Sequence, residues 1–355
     1  VIKLLIVDDS ALMRRQLTQI FALAGGFEIM QARNGKEAVE MNRNFLPDVL
    51  TLDINMPEMD GLTALSLIMA ERAVPVVMVS SLTDKGALAT FEALNLGAVD
   101  YVAKPGGTIS LSMDKISAEL IAKVRSASRA RVKPAGPSVT GLVQRLREER
   151  VKVTSDYAAP KRRVSGPGLV VIGVSTGGPR TLEEILPNLP VDFPWPVLVA
   201  QHMPSAFTKS FAERLNLLCP LRVVEVSTPM AVEAGTIYIA KGSADMVLAM
   251  RGGKLTALPK PENSQFLWHP SVEMLGQSVL EHCDPSAVIA LMLTGMGSDG
   301  ADAFTEIKQR GGRTIAESED SAVVFGMPKE LIQKRGATLV LSAGKIAAQL
   351  NNWTL

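Results

Sequence analysis

Short apolar, β-branched runs alternate with helix-period stretches twice over in this chain, and few architectures accept that order. Up to residue 124 the runs fall at 3–7, 28–31, 49–52, 76–79 and 101–103, with amphipathic stretches at 10–24, 35–44, 61–70 and 86–96 between them. Such alternation predicts a parallel doubly wound sheet whose ligands gather beyond the carboxyl ends of its strands. A second alternation begins at Leu169. There LVVIGVS, PVLVAQ, RVVEVS, TIYIA, MVLAM and AVIALMLT read as strands, and 181–186, 206–217, 271–281 and 301–309 as helices. The fold class expected is α/β, with two doubly wound parallel-sheet domains at 1–124 and 166–355 and no internal repeat relating them.

Residues 125–165 read as a linker. Eleven Lys/Arg face three acids between Arg125 and Arg163, among Pro/Gly/Ser-rich pieces such as VKPAGPS. A short amphipathic helix fits at 139–150. The basic residues lack the interleaved aromatics of a nucleic-acid platform, so a solvated tether is the expectation. Over the whole chain, 37 Lys+Arg against 36 Asp+Glu leave no global basic field to recruit nucleic acid. Two cysteines, Cys219 and Cys283, cannot build a disulfide framework, and no apolar stretch nears the ~20 residues of a membrane span. The apolar run in the opening VIKLLIVDDS is also too short for a secretory signal. A cytoplasmic location is therefore expected.

Asp8 and Asp9 follow the first strand, Asp53 the third and Lys104 the fifth, so all four project from one sheet edge. Three carboxylates there repel one another unless a cation joins them, and hard oxygen ligands suit Mg²⁺. The lysine offers a point charge to a phosphoryl oxygen. The simplest chemistry makes Asp53 a covalent acceptor of phosphoryl groups. Taken singly, Asp8 and Asp9 can cap the first helix and Asp53 can be a turn acid ahead of Pro57; the set of four favours the site. The motifs VDDS, LDINMPEMDG, VMVSS and DYVAKP resemble the receiver domain of two-component response regulators. That resemblance implies a flavodoxin-like fold, phosphorylation on Asp53, and Mg²⁺ held by Asp8, Asp9, Asp53 and the Asn55 carbonyl. It also implies Ser80 bonding the phosphoryl oxygen, Lys104 pairing with it, and Tyr101 as an aromatic switch.

In the second half, an apolar strand enters Ser175-Thr176-Gly177-Gly178-Pro179 and then a helix. This pattern serves either a phosphate on free helix N–H groups or a nucleophilic serine in a sharp turn. Gly173, Ser175 and Gly177 match the G-x-S-x-G spacing, while this turn lacks the dinucleotide pattern G-x-G-x-x-G. Of three histidines, His202 ends the next strand and is the best-placed base; His269 lies in a loop and His282 ends a helix. Asp299 follows the strand AVIALMLT and is the candidate orienting acid, unless it only caps the helix near Ala301. Ser, His and Asp at parallel strand ends can meet over one crevice, in a chain order unlike that of α/β-hydrolases.

VVIGVSTGGPRTLEEIL, QHMPSAFTKSFAERL and LTGMGSDGA, together with the receiver motifs, resemble the chemotaxis-type protein-glutamate methylesterases. The resemblance implies a Rossmann-like esterase domain with Ser175 as nucleophile, His202 as base, Asp299 as orienting acid, and the Thr176 and Met296 N–H groups facing the oxyanion. One departure is His269-Pro270-Ser271-Val272-Glu273, where the family usually has arginine in place of the histidine. The implied activity is hydrolysis of glutamate γ-methyl esters on methyl-accepting chemotaxis receptors, with deamidation of receptor glutamines and no cofactor for the esterase reaction. A chemotaxis histidine kinase would donate the phosphoryl group, the receiver would pack over the site until phosphorylated, and a monomer at receptor arrays of the inner membrane is expected. Two other outputs stay open from the residues themselves: a nucleotide-binding module at 175–178, and a DNA-binding factor, disfavoured because no helix-turn-helix follows the receiver.

Overall fold

The computed structural model describes residues 1–80, 84–104, 110–130, 132 and 168–354. The chain divides into two compact units. Most of the expected linker, including the helix expected at 139–150, lies outside the described residues.

In the first unit five parallel strands, β1 (Ile2–Val7), β2 (Phe27–Ala32), β3 (Val49–Asp53), β4 (Val76–Ser80) and β5 (Asp100–Ala103), lie in the order β2-β1-β3-β4-β5. The central strands are buried on both faces, which is why they read as unbroken apolar runs. The strand order reverses between β1 and β3, and ligands of open α/β sheets bind at such a switch point. The helices start where the sequence carries caps. Ser10 Oγ accepts the Met13 N–H, Asn34 Oδ1 that of Glu37, and Asp60 Oδ1 that of Thr63. Helix Ser110–Ala127 runs three residues past the boundary expected at 124.

The second unit is built on seven parallel strands. They are β6 (Leu169–Val174), β7 (Val197–Gln201), β8 (Arg222–Val226), β10 (Thr236–Ala240), β13 (Val288–Met292), β14 (Arg313–Glu317) and β15 (Leu339–Leu341). Their order is β15-β14-β13-β6-β7-β10-β8, with β6 central: the chain passes to β7 and the β8 edge, returns to β10, and then builds β13, β14 and β15 on the other side. The core joins Val171, Leu198, Tyr238, Val272, Leu275, Phe304 and Met327 across sheet and helices.

One expectation needs correction. MVLAM does not extend the parallel sheet: it lies in β11 (Asp245–Arg251), which pairs antiparallel with β12 (Lys254–Lys260), itself paired with β9 (Met230–Ala231) in a separate sheet. The cause is the two-residue turn Gly252-Gly253, both at positive φ (55° and 76°), which closes a tight hairpin between Arg251 and Lys254. Among the described residues no helix is long and apolar enough to cross a membrane.

Candidate active site

At the switch point of the first sheet, Asp8 and Asp53 are buried and Asp9 is exposed, and each offers a carboxylate oxygen within 4.8 Å of the others. Lys104 Nζ reaches between them, 2.9 Å from Asp8 Oδ2 and 2.8 Å from Asp53 Oδ2. Burial pushes the Asp53 carboxyl up, and the Asp8 charge adds to this against the pull of Lys104. Burial works against the charge on Lys104 too, but its hydrogen bonds to Asp53 and Asp8 prevail and hold its ammonium above the usual range. Three carboxylates that close to one another fit a divalent cation of the Mg²⁺ type. The capping alternative fails for Asp8 and Asp9, because Ser10 caps the first helix; Asp8 Oδ1 accepts the Ser10 N–H.

Ser80 ends β4, with its carbonyl accepting the Lys104 N–H at 2.7 Å, while Asn55 is exposed just beyond β3. The Tyr101 ring is buried inward, 5.1 Å from Lys123 Nζ, and burial raises its phenol well above the usual range. Lys123 is itself buried, paired with Asp100 (3.3 Å) and Glu119 (3.1 Å) and bonded to the Tyr101 carbonyl (2.8 Å). The sequence reading missed this lysine. Its only local signal is an i,i+4 acid, which ordinary solvated helices share.

In the second unit Ser175, His202 and Asp299 stand beyond the ends of β6, β7 and β13, three neighbouring strands. The sheet ladder continues past the strands: His202 N–H donates to Val174 O at 3.1 Å, and Ser175 N–H to Thr294 O at 2.9 Å. Gly177 takes φ 79°, and this left-handed residue turns the chain from strand into helix Gly178–Ile185. Gln201 Nε2 donates to the Ser175 carbonyl (2.9 Å) and to the His202 carbonyl (3.1 Å), locking the serine turn to the adjacent strand.

His202 Nε2 lies 2.8 Å from Asp299 Oδ2, and the imidazole is nearly enclosed. A carboxylate opposite Nε2 assigns the proton to that nitrogen. The other nitrogen, Nδ1, is buried and has no hydrogen-bond partner among the described residues. Trp268 stacks on the imidazole, with ring centroids 5.8 Å apart and planes 16° from parallel.

Asp299 does not cap the helix that follows it. That helix, Ala301–Gln309, starts from Gly300 with no side-chain cap of its own. Instead Asp299 accepts Val272 N–H (2.7 Å), Glu273 N–H (3.0 Å) and Ser271 Oγ (3.0 Å) at the start of helix Val272–His282. Glu273 returns the favour by accepting Ala303 N–H at 3.1 Å. Burial works against the Asp299 charge, but hydrogen bonds from His202, Glu273 and Val272, at the positive end of a helix, hold its carboxyl below the usual range. His269 belongs to the same support: its Nδ1 lies 2.8 Å from buried Asp245, which also accepts the Ser271 and Asn263 N–H groups.

Thr176 is buried beside Ser175, and Met296 is half-buried in the loop after β13. Gln201, Asp245 and Trp268 were not foreseen, because each acts through residues distant in the chain. Gly178 is where the turn tolerates least: a Cβ there would lie 1.9 Å from Gln201 Oε1. We expect Gly178→Ala to lower stability by about 1–3 kcal/mol, read as a lower urea midpoint of tryptophan fluorescence.

Fold and sites together define a class: a receiver unit joined to an α/β unit that carries a serine–histidine–aspartate constellation. The family model described as CheB methylesterase matches residues 170–350, and that of the response regulator receiver domain matches 4–113. A protein-glutamate methylesterase/protein-glutamine glutaminase of Rhodospirillum rubrum is 54% identical over 99% of this chain and 96% of its own length. Another from Caldanaerobacter subterraneus is 47% identical over 98% of this chain and 95% of its own. The crystal structure of the Thermotoga maritima CheB methylesterase catalytic domain, 41% identical, aligns with 53% of this chain and all of its own at a TM-score of 0.51. The chain belongs to the CheB methylesterase family.

Proposed function

We propose that this protein hydrolyses glutamate γ-methyl esters on methyl-accepting chemotaxis receptors, releasing methanol, and deamidates particular receptor glutamines by the same route. The observation that carries the chemistry is the division of labour on His202, with Nε2 engaged by Asp299 and Nδ1 left without a partner. Ser175 Oγ attacks the ester carbonyl and its proton passes to Nδ1. Asp299 holds the tautomer and offsets the charge of the imidazolium. The Thr176 and Met296 N–H groups receive the oxyanion, the imidazolium returns its proton to the departing methoxide, and methanol leaves an acyl-serine. Water, deprotonated by Nδ1, then frees the glutamate. For glutamine, ammonia leaves instead.

Activity is governed by phosphorylation of Asp53, with a chemotaxis histidine kinase as donor. Asp8, Asp9 and Asp53, with the Asn55 carbonyl, would hold Mg²⁺, which when bound offsets charge on the phosphoryl oxygens. Lys104 pairs with the phosphoryl group, Ser80 bonds it, and Tyr101 shifts with Ser80, a population shift between two arrangements. The protein acts as a monomer in the cytoplasm, at receptor arrays of the inner membrane.

The test is methanol release from membranes carrying a methylated receptor, with and without a small phosphodonor and Mg²⁺. Release should rise with the donor, lose that rise in Asp53→Ala, and vanish in Ser175→Ala. Release indifferent to the donor sinks the regulatory half, and full release by Ser175→Ala sinks the catalytic half.

A further inference from the structure

The triad leaves one fully buried carboxylate beside the serine turn without a task. Glu317 is the last residue of β14, and its two oxygens serve different neighbours. Oε2 accepts the Thr294 N–H at 2.8 Å, and Oε1 accepts the Ser321 hydroxyl at 2.9 Å. Ser321 Oγ in turn accepts the Ala343 N–H at 3.1 Å, where helix Ala343–Thr354 begins. From Thr294 two bonds run into the turn. Its carbonyl accepts the Ser175 N–H at 2.9 Å, and its hydroxyl donates to the Thr176 carbonyl at 2.8 Å. That hydroxyl also accepts the Val324 N–H at 3.0 Å.

We propose that Glu317 is a positioning residue of the reaction: by holding the Thr294 amide it fixes the residue that clamps Ser175 and Thr176. The inference rests on Ser175 being the nucleophile. Thr294 lies past the end of β13, and its N–H reaches a side chain where a strand residue would find a carbonyl. A buried amide without an acceptor is costly, and the long side chain of Glu317 supplies one from the neighbouring strand. The arrangement is itself unfavourable for an acid. Burial, with the charges of Glu184 and Asp320 adding to it, pushes the Glu317 carboxyl up to about 7 against the bonds from Thr294 and Ser321. A buried acid is weak support for stability alone, so a role in placing the turn accounts for it better.

The test compares Glu317→Asp, Glu317→Leu and Glu317→Gln in the full chain. The readouts are the rate at which a fluorophosphonate labels Ser175, by intact mass, and kcat and KM for receptor methanol release. Aspartate draws the acceptor back from Thr294 and leucine removes it. Both should slow labelling and kcat by about ten- to a hundredfold, the scale of a misplaced reacting group, with KM for the receptor ester within about twofold. Glutamine keeps an acceptor oxygen and should stay within about threefold of the parent on the same scale. Melting by tryptophan fluorescence shows which variants are folded; if leucine prevents folding, aspartate and glutamine decide. Parent-like labelling of the folded aspartate variant overturns the proposal, as does a glutamine variant as slow as the aspartate one. A parent chain that is not labelled at Ser175 overturns the catalytic reading, and this inference with it.

Discussion

Replacing Asp299 with asparagine is expected to lower methanol release by about four orders of magnitude, the scale on which a misoriented histidine costs a triad. Each oxygen of Asp299 accepts two hydrogen bonds. Oδ2 takes those of His202 Nε2 and Val272 N, and Oδ1 those of Ser271 Oγ and Glu273 N. An asparagine must present its NH₂ to one of these pairs. Turned toward His202, it forces the proton onto Nδ1 and leaves no lone pair to receive that of Ser175. Turned toward Ser271, it keeps His202 and Val272 on the remaining oxygen but strands the Glu273 N–H. Both arrangements strand a buried N–H, so stability should fall as well, by about 1–3 kcal/mol. Single-turnover methanol release beside a urea titration separates the two effects. A loss of only tenfold in a folded variant would show that Asp299 does not set the tautomer.

The second large effect concerns pH. The Glu317 carboxyl titrates near 7 in the folded protein against 4.5 for an ordinary glutamate. A raised value means the folded state holds its proton more firmly than the unfolded chain. The sign follows: the contribution to stability is full below pH 4.5 and is lost as pH rises through about 7. The interval corresponds to about 3 kcal/mol. Glu317→Gln carries no such proton, so its stability relative to the parent should improve by up to about 3 kcal/mol between pH 4.5 and pH 8. Contributions from other groups cancel in that difference. All three tryptophans, Trp195, Trp268 and Trp353, lie in the second unit, so urea unfolding read by their fluorescence follows the unit that holds Glu317. A gap between the two proteins that stays constant with pH would show that Glu317 is ionised normally.

The strand ends were legible because parallel sheets put chemistry where apolar runs stop. Asp53, Lys104, Ser175, His202 and Asp299 all follow such runs. The partners of those residues were not legible. Asp299 is followed two residues later by a helix, and only the packed structure reveals that it accepts the first two N–H groups of helix Val272–His282 instead. Gln201, Asp245, Glu317 and Lys123 are polar residues whose local sequence resembles any strand end or helix face, and their meaning comes from contacts made 18 or more residues away. The hairpin of β11 and β12 is a different case. MVLAM was legible as a strand, but an apolar run by itself carries no strand direction; the Gly252-Gly253 turn that follows it sets the antiparallel pairing.

In the mechanism proposed above, the use of Nδ1 has a mechanical consequence. That atom is bonded to Cγ, one bond nearer the main chain than Nε2, so a swing of the side chain about its Cα–Cβ bond carries it through a shorter arc. Placing the reactive nitrogen on the near side of the ring ties proton transfer to the backbone of β7. That backbone is fixed beside the serine turn, with Gln201 opposite Val174 in register and the His202 N–H donating to the Val174 carbonyl, while Trp268 covers the ring.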